Sequence, residues 1–175
     1  IIDAKKVAAQ ENFKHYVLDY TEIFKERVIK NFLYSYEKGE TPIPCGRCNQ
    51  YIKFGAMLDF CKKIDADYLV TGHYVKKVNT KEGPQLFRGI DKNKDQSYFL
   101  ALTNKEQLEK IHFPLADIHK TIVRKMATEI GLSIAKKPES QDICFVTTNN
   151  YQDFLYQMRP EMFKEGNIIT TNGKY

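Results

Sequence analysis

The chain has 175 residues, of which 42% are hydrophobic and 28% are charged, a composition typical of soluble globular proteins. This length supports one sizeable core and part of a second. No apolar run approaches the roughly 18 residues that span a bilayer and no signal-peptide pattern opens the chain, so we expect a cytoplasmic protein without a membrane partner. The net charge of +5 permits a polyanionic partner but does not require one.

The first part of the chain alternates helix and strand patterns. Apolar residues at helical spacing predict a helix from Ile2 to about Gln10, and residues 13–20 have the composition of a strand. A second helix is predicted from Thr21 to about Lys38, with Gly39 ending it. Its apolar stripe is expected to lie in the core and consists of Phe24, Val28, Phe32 and Tyr36.

The stretch Thr41–Asn49 concentrates two prolines, a glycine and two of the four cysteines of the chain. The prolines fix φ and keep the residues before them out of the helical region, which predicts a stiff, extended loop. Apolar residues then recur at helical spacing up to Ile64, so we expect Cys48 at or just before a helix N-terminus. The helix dipole and the neighbouring arginine there favour a thiolate, the nucleophilic form of cysteine.

A short apolar strand over residues 66–71 ends in Gly72 and His73. Strands separated by helices of this length predict crossover connections, and therefore an α/β fold with a doubly wound, mostly parallel sheet. Ligands of such sheets bind beyond the carboxyl ends of the strands. We therefore expect Gly72 and His73 beside a ligand.

The next segments are a predicted β-hairpin over residues 74–90 and a run of seven polar residues, 91–97. Polar loops on a rigid scaffold commonly carry function, but on composition alone a solvated loop accounts better for that polar run. Asn104 can cap a short helix, and residues 120–130 predict a helix whose apolar face serves as scaffold. Further elements expected near the end of the chain are a helix over Tyr151–Met158 and a strand over residues 166–171.

The predicted elements divide into two parts. We expect an incomplete nucleotide-binding and catalytic α/β domain over residues 1–145, and the start of a small central domain over residues 146–175. The chain opens inside a helical pattern and closes just after a hairpin signal at Asn172-Gly173. This pattern predicts an internal piece of a longer protein, so that any function can require parts outside it.

The four cysteines admit several chemistries. Without a secretory signal, reactive or metal-bound sulfur is expected before a disulfide framework. Cys45 and Cys48 form a CxxC pair, but a four-thiolate zinc site usually combines two such pairs, and the usual spacing of iron–sulfur ligands is missing. Cys61 falls on an apolar helix face and is expected in the core, whereas Cys144 follows a proline-broken loop. The residues alone leave a redox pair, a metal site and a nucleophile open.

Six blocks of sequence stand in a particular order, namely residues 41–49, 53–54, 71–74, 91–100, 113–115 and 140–145. Together they resemble the ordered motifs of the tRNA-specific 2-thiouridylases, ATP-dependent enzymes that place sulfur on C2 of the wobble uridine in certain tRNAs. The resemblance covers most of the chain and implies an adenine nucleotide alpha hydrolase-like fold. The family's N-terminal phosphate-binding loop and C-terminal β-barrel are not part of the sequence, and Ile43 stands where the family usually has Asn.

The resemblance implies a role for particular residues. Cys48 matches the family nucleophile, and Cys144 matches the cysteine that carries a persulfide. The other matches are Ile43, Pro44 and Cys45 for the target base, Gly72 for ATP, and His73, Lys94, Asp95 and Gln96 for tRNA.

The implied reaction uses ATP and Mg²⁺. ATP adenylates O2 of the uracil, the terminal sulfur of the Cys144 persulfide attacks C2, and Cys48 then attacks Cys144, so these two cysteines form a disulfide during turnover. The implied partners are tRNA and a persulfide sulfur-donor protein, and we expect a monomer with no resident metal. The alternative is a CxxC redox or zinc-binding module without catalysis on RNA, which leaves Cys144 without a role.

Overall fold

The computed structural model describes residues 1–138, 143–147 and 150–173. Ser140, Gln141 and Asp142, which belong to the last of the six sequence blocks, lie outside this range. The described helices are α1 (Ile2–Gln10), α2 (Thr21–Phe24, Lys25–Ile29 and Lys30–Glu37 in succession), α3 (Pro44–Cys48, Asn49–Ala56 and Met57–Lys63 in succession), α4 (Lys105–Glu109), α5 (Lys120–Glu129) and α6 (Tyr151–Met158). The strands are β1 (Leu69–Val70), β2 (Val75–Thr80), β3 (Gly83–Arg88) and β4 (Ile111–His112). None of the described helices is both long enough and apolar enough to cross a bilayer.

The strands form two small sheets. β1 pairs with β4 in parallel, with Leu69 opposite Ile111, and the long connection between them contains the antiparallel hairpin of β2 and β3. The hairpin prediction is confirmed, and Gly83 at the start of β3 has a φ of +104°, which glycine adopts without strain. The parallel pair and the helices around it agree with the predicted α/β class.

Two apolar clusters hold the fold together. The first joins α3, the hairpin, α4 and β4 through Phe54, Leu58, Val75, Leu100, Leu108, Ile111 and Phe113. The second joins α2 to α6 through the buried Phe32, Leu33 and Leu155, with Ile143 and Phe145 packed against them. The predicted burial of the α2 stripe is confirmed at Val28 and Phe32, each 1% exposed. The second cluster fixes the segment that carries Cys144.

Two predicted strands are wrong. Residues 13–20 and 166–171 form no strand, and no described segment pairs with them. Their apolar side chains are exposed, with Phe13 at 69% and Ile168 at 91%. A strand needs a neighbouring strand for its backbone hydrogen bonds, so apolar and β-branched composition without a partner does not suffice.

Helix α5 forms where its periodicity predicts, but its apolar face is not buried. Ile122 and Met126 are 49% and 50% exposed. The expectation that this face packs as scaffold is therefore wrong within the described residues.

The middle of α3, Asn49–Ala56, is π-helical, with backbone hydrogen bonds five residues apart. Gly55 permits this geometry, because a Cβ there would lie 3.1 Å from the backbone oxygen of Gln50. The side-chain amide of Gln107 donates to the backbone oxygens of Gln50 and Phe54 at 2.9 and 2.8 Å, and so stabilises the segment from α4. In such a helix, residues five apart lie on one face, whereas in an α-helix residues three or four apart do.

Candidate functional site

A pocket of about 460 Å³ lies between α2, the start of α3, the loop before Leu100 and the segment 143–147. Three cysteines line it, Cys45, Cys48 and Cys144, and all are free thiols. The other lining residues are Phe24, Val28, Pro44, Asn49, Lys53, His73, Gln96, Phe99, Ile143 and Phe145. Two segments far apart in sequence therefore bring three thiols to one cavity.

Helix α3 begins earlier than predicted. Pro44 is its first residue, so Cys45 lies in the first turn and Cys48 is one turn further inside. The prediction of Cys48 at the N-terminus is wrong because a proline suits the first helical position, where its missing N–H needs no partner. Cys48 therefore gains less from the helix dipole than expected, since that effect falls off within the first turn.

The electrostatics of Cys48 also differ from the prediction. Burial raises the pKa of the Cys48 thiol, Lys53 opposes this shift, and the nearby Cys144 and Cys45 add to the rise. Burial raises the pKa of Cys45 as well. Both shifts favour the protonated thiol, contrary to the thiolate expected at Cys48.

Lys53 lines the pocket, and sequence reasoning gave it no role. It belongs to one of the six blocks but carried no assigned role, since a position five residues after Cys48 does not share its face in an α-helix. The π-helical segment places both side chains on the same pocket. Lys53 thus supplies the positive charge that favours a thiolate at Cys48.

Cys144 is held at the rim of the pocket by its two neighbours. The ring of Phe145 packs edge-on against Phe32 and Phe24, with centroids 5.2 and 5.7 Å apart, and Ile143 packs against the same cluster. Cys144 itself is exposed. The cysteine is therefore positioned by packing on both sides while its sulfur stays accessible from outside.

His73 forms part of the pocket wall. It is 7% exposed and lies between the rings of Phe54 and Phe113, and its Nδ1 is 2.8 Å from the hydroxyl of Thr71. Burial, aided by Lys53, lowers the pKa of His73 to about 4, so the ring is neutral at pH 7. His73 can contact only a group that enters the pocket.

The polar run 91–97 is structured by its own side chains. The side-chain oxygen of Gln96, which lines the pocket, accepts a hydrogen bond from the backbone N–H of Tyr74 at 3.0 Å. The carboxylate of Asp95 accepts from the backbone N–H and the hydroxyl of Ser97, at 3.3 and 2.9 Å. Lys94 is half-buried in the same loop and does not line the pocket.

The remaining predicted positions separate into two groups. Pro44 and Cys45 line the pocket, whereas Ile43 precedes α3 and packs beneath Gly46, where an added Cβ would lie 3.4 Å from it. Gly72 is exposed just past the carboxyl end of β1. Pro44 and Cys45 therefore belong to the lining of the thiol pocket, whereas Ile43 and Gly72 do not.

Cys61 lies apart from the three pocket thiols. It is half-buried and lines a separate groove of about 550 Å³, so the expectation of a core position is wrong. Across the part of the chain that the structure describes, no three His, Cys, Asp or Glu side chains are placed to hold a metal ion.

Curated proteins of known name resemble the chain closely. It is 51% identical to the tRNA-specific 2-thiouridylase MnmA of Rickettsia bellii (strain OSU 85-389) and 48% identical to that of Neorickettsia sennetsu, in each case over 99% of this chain and 47% of the relative. The chain thus spans about half the length of these relatives. Residues 1–148 match the family described as the tRNA methyl transferase HUP domain. With a parallel α/β core and a match over most of its length, the chain belongs to this HUP-domain family.

Proposed function

We propose that this chain forms the catalytic part of a tRNA 2-thiouridylase, which transfers sulfur to C2 of the wobble uridine. The observation that carries the proposal is the convergence of Cys48 and Cys144 on one pocket, together with Lys53 and a neutral His73. The names of the similar relatives support the same activity. The substrate is tRNA, and the protein acts in the cytoplasm.

Cys144 is the proposed persulfide carrier. Its exposure suits delivery of sulfur by a donor protein, which must reach the thiol from outside. The outer sulfur of the persulfide attacks C2 of the uracil, the C2–O2 bond breaks as the activated oxygen leaves, and Cys48 attacks the inner sulfur, that of Cys144. The sulfur–sulfur bond of the persulfide breaks, a Cys48–Cys144 disulfide forms, and the outer sulfur stays on the base.

The pocket wall suits an extruded base. Phe24, Val28 and Phe99 offer apolar contacts, while His73 and Gln96 offer polar ones. A wobble uridine must leave its stack to reach such a cavity, as base-modifying enzymes generally require. Pro44 and Cys45 form the edge of the pocket at the start of α3, where a rigid segment can lie against the base.

ATP is proposed to contact the exposed backbone at Gly72, at the carboxyl end of the parallel strand β1. This position fits a nucleotide as one wall, because the atom nearest to an added Cβ is Leu115 Cδ1 at 3.7 Å, and the approach is open. When bound, ATP activates O2 of the uracil as a leaving group. Mg²⁺ is proposed to arrive with the triphosphate, since the described residues contain no group of three metal-ligating side chains.

The test uses the full-length protein that contains this chain. It is incubated with unmodified tRNA, ATP and a persulfide donor, and the nucleosides are analysed by mass spectrometry. We expect 2-thiouridine at the wobble position only when ATP and the donor are both present. Unmodified tRNA after complete reactions, with a folded protein that retains its persulfide, would contradict the proposal.

A further inference from the structure

A cationic groove of about 420 Å³, distinct from the groove that Cys61 lines, lies beside the thiol pocket. Its lining includes four cations and two aromatic rings, namely Arg27, Lys30, Arg47, Arg159, Tyr34 and Tyr51. The cations come from α2, from α3 and from the residue that follows α6. Three separate elements therefore bring positive charge to one concave surface.

The groove and the thiol pocket share two helices. On α2, Phe24 and Val28 line the pocket, whereas Arg27 and Lys30 line the groove. On α3 the neighbouring residues Arg47 and Cys48 divide in the same way, Arg47 to the groove and Cys48 to the pocket. The groove and the pocket therefore adjoin along α2 and at the first turns of α3.

Two of the four cations pair with a carboxylate, and the other two have no ion pair within the described residues. Lys30 pairs with Glu26, which also lines the groove, and Arg159 pairs with Glu161 at 3.4 Å. The guanidinium carbon of Arg27 lies 5.3 Å from the centroid of the Tyr51 ring, a cation–π contact that leaves its charge in place. No described carboxylate forms an ion pair with Arg27 or Arg47.

We propose that this groove binds the phosphate backbone of the RNA substrate and guides the strand toward the thiol pocket. The proposal rests on the function proposed above and adds a binding surface to the residues assigned there. A positive groove with interleaved aromatic rings is the arrangement that binds single-stranded nucleic acid, because the cations meet phosphates and the rings accept bases. An acidic protein surface would form ion pairs with the cations but would not stack on the ring of Tyr34, a residue that is 51% exposed.

The test measures binding of a fluorescein-labelled anticodon stem-loop to the full-length protein by anisotropy at several salt concentrations. The variants are Arg27→Gln, Lys30→Gln and the double variant. Lys62→Gln is the matched control, since Lys62, like Lys30, is an exposed lysine paired with a carboxylate on its own helix. We expect the double variant to bind roughly tenfold more weakly and its log–log salt slope to be shallower by about 1.4, from two counterions on a single strand.

The possible outcomes distinguish RNA binding by the groove from the proposed thiolation activity. An unchanged salt slope in a double variant that still thiolates tRNA contradicts RNA binding by the groove and does not affect the proposed function. Slower sulfur loading from the donor, with unchanged RNA binding, contradicts RNA binding by the groove in favour of a protein partner. A shallower slope with no thiolation by the wild type supports the groove and contradicts the proposed function, and a wild type that binds no RNA contradicts both. Thermal unfolding of each variant confirms that it is folded.

Discussion

Replacing either Cys48 or Cys144 by serine is expected to lower the rate of tRNA thiolation by at least roughly a thousandfold in the full-length protein. Serine keeps the size of the side chain but cannot carry a persulfide or attack one. Both sulfurs line the same pocket, so each substitution removes one partner of the transfer. The measurement is 2-thiouridine formed per minute, quantified by mass spectrometry.

Cys61→Ser is the control for this pair of substitutions. Cys61 is a half-buried thiol like Cys48 but lines a different groove, so its loss is expected to leave the rate within about twofold of wild type. A Cys48→Ser or Cys144→Ser protein that retains a tenth of the wild-type rate would show that the assigned thiol is not required.

Lys53→Met is expected to slow thiolation by roughly 10- to 100-fold, because it removes the positive charge beside the three thiols. The thiolate of Cys48 is the reactive form, and Lys53 lowers the pKa of that thiol against the effect of burial. Loss of the cation therefore raises this pKa further. The rising limb of the pH–rate profile should move to higher pH.

Alkylation of Cys48 by iodoacetamide, followed by peptide mass spectrometry between about pH 6 and pH 10, measures this shift directly. Lys53→Arg is the matched variant, since it keeps the charge, and its Cys48 should titrate nearly as in the wild type. If Lys53→Met and Lys53→Arg show the same dependence on pH, the electrostatic role of Lys53 is wrong.

The helices were predictable where the sequence carries a complete local signal. Residues 105–109 form α4 behind a capping box of Asn104 and Gln107, and α6 has the bounds that its pattern predicts. The hairpin followed from its alternation and its glycine. The strand predicted over residues 13–20 does not form, because a strand needs a pairing partner from elsewhere in the chain and composition does not show whether one is present.

The candidate site was predictable only in part, for physical reasons. The family resemblance indicated Cys48 and Cys144, but periodicity cannot show that Phe145 anchors Cys144 against Phe32. The role of Lys53 depends on the π-helical register of α3, which Gly55 and Gln107 from a distant helix stabilise. The raised pKa of Cys48 follows from burial, which only the folded structure determines.

In the proposed reaction, sulfur moves from Cys144 to the base while Cys48 attacks Cys144, and the disulfide that forms between these two cysteines can be mapped after one turnover. The full-length protein, loaded with persulfide, is allowed a single turnover on tRNA without reductant and then mapped by non-reducing peptide mass spectrometry. The disulfide condition is that the two Cα atoms come within roughly 7 Å during the cycle. We predict that Cys48 and Cys144 are the main linked pair. A main Cys45–Cys48 linkage with Cys144 free would contradict the role of Cys48 as the partner of Cys144 and would favour a CxxC redox pair.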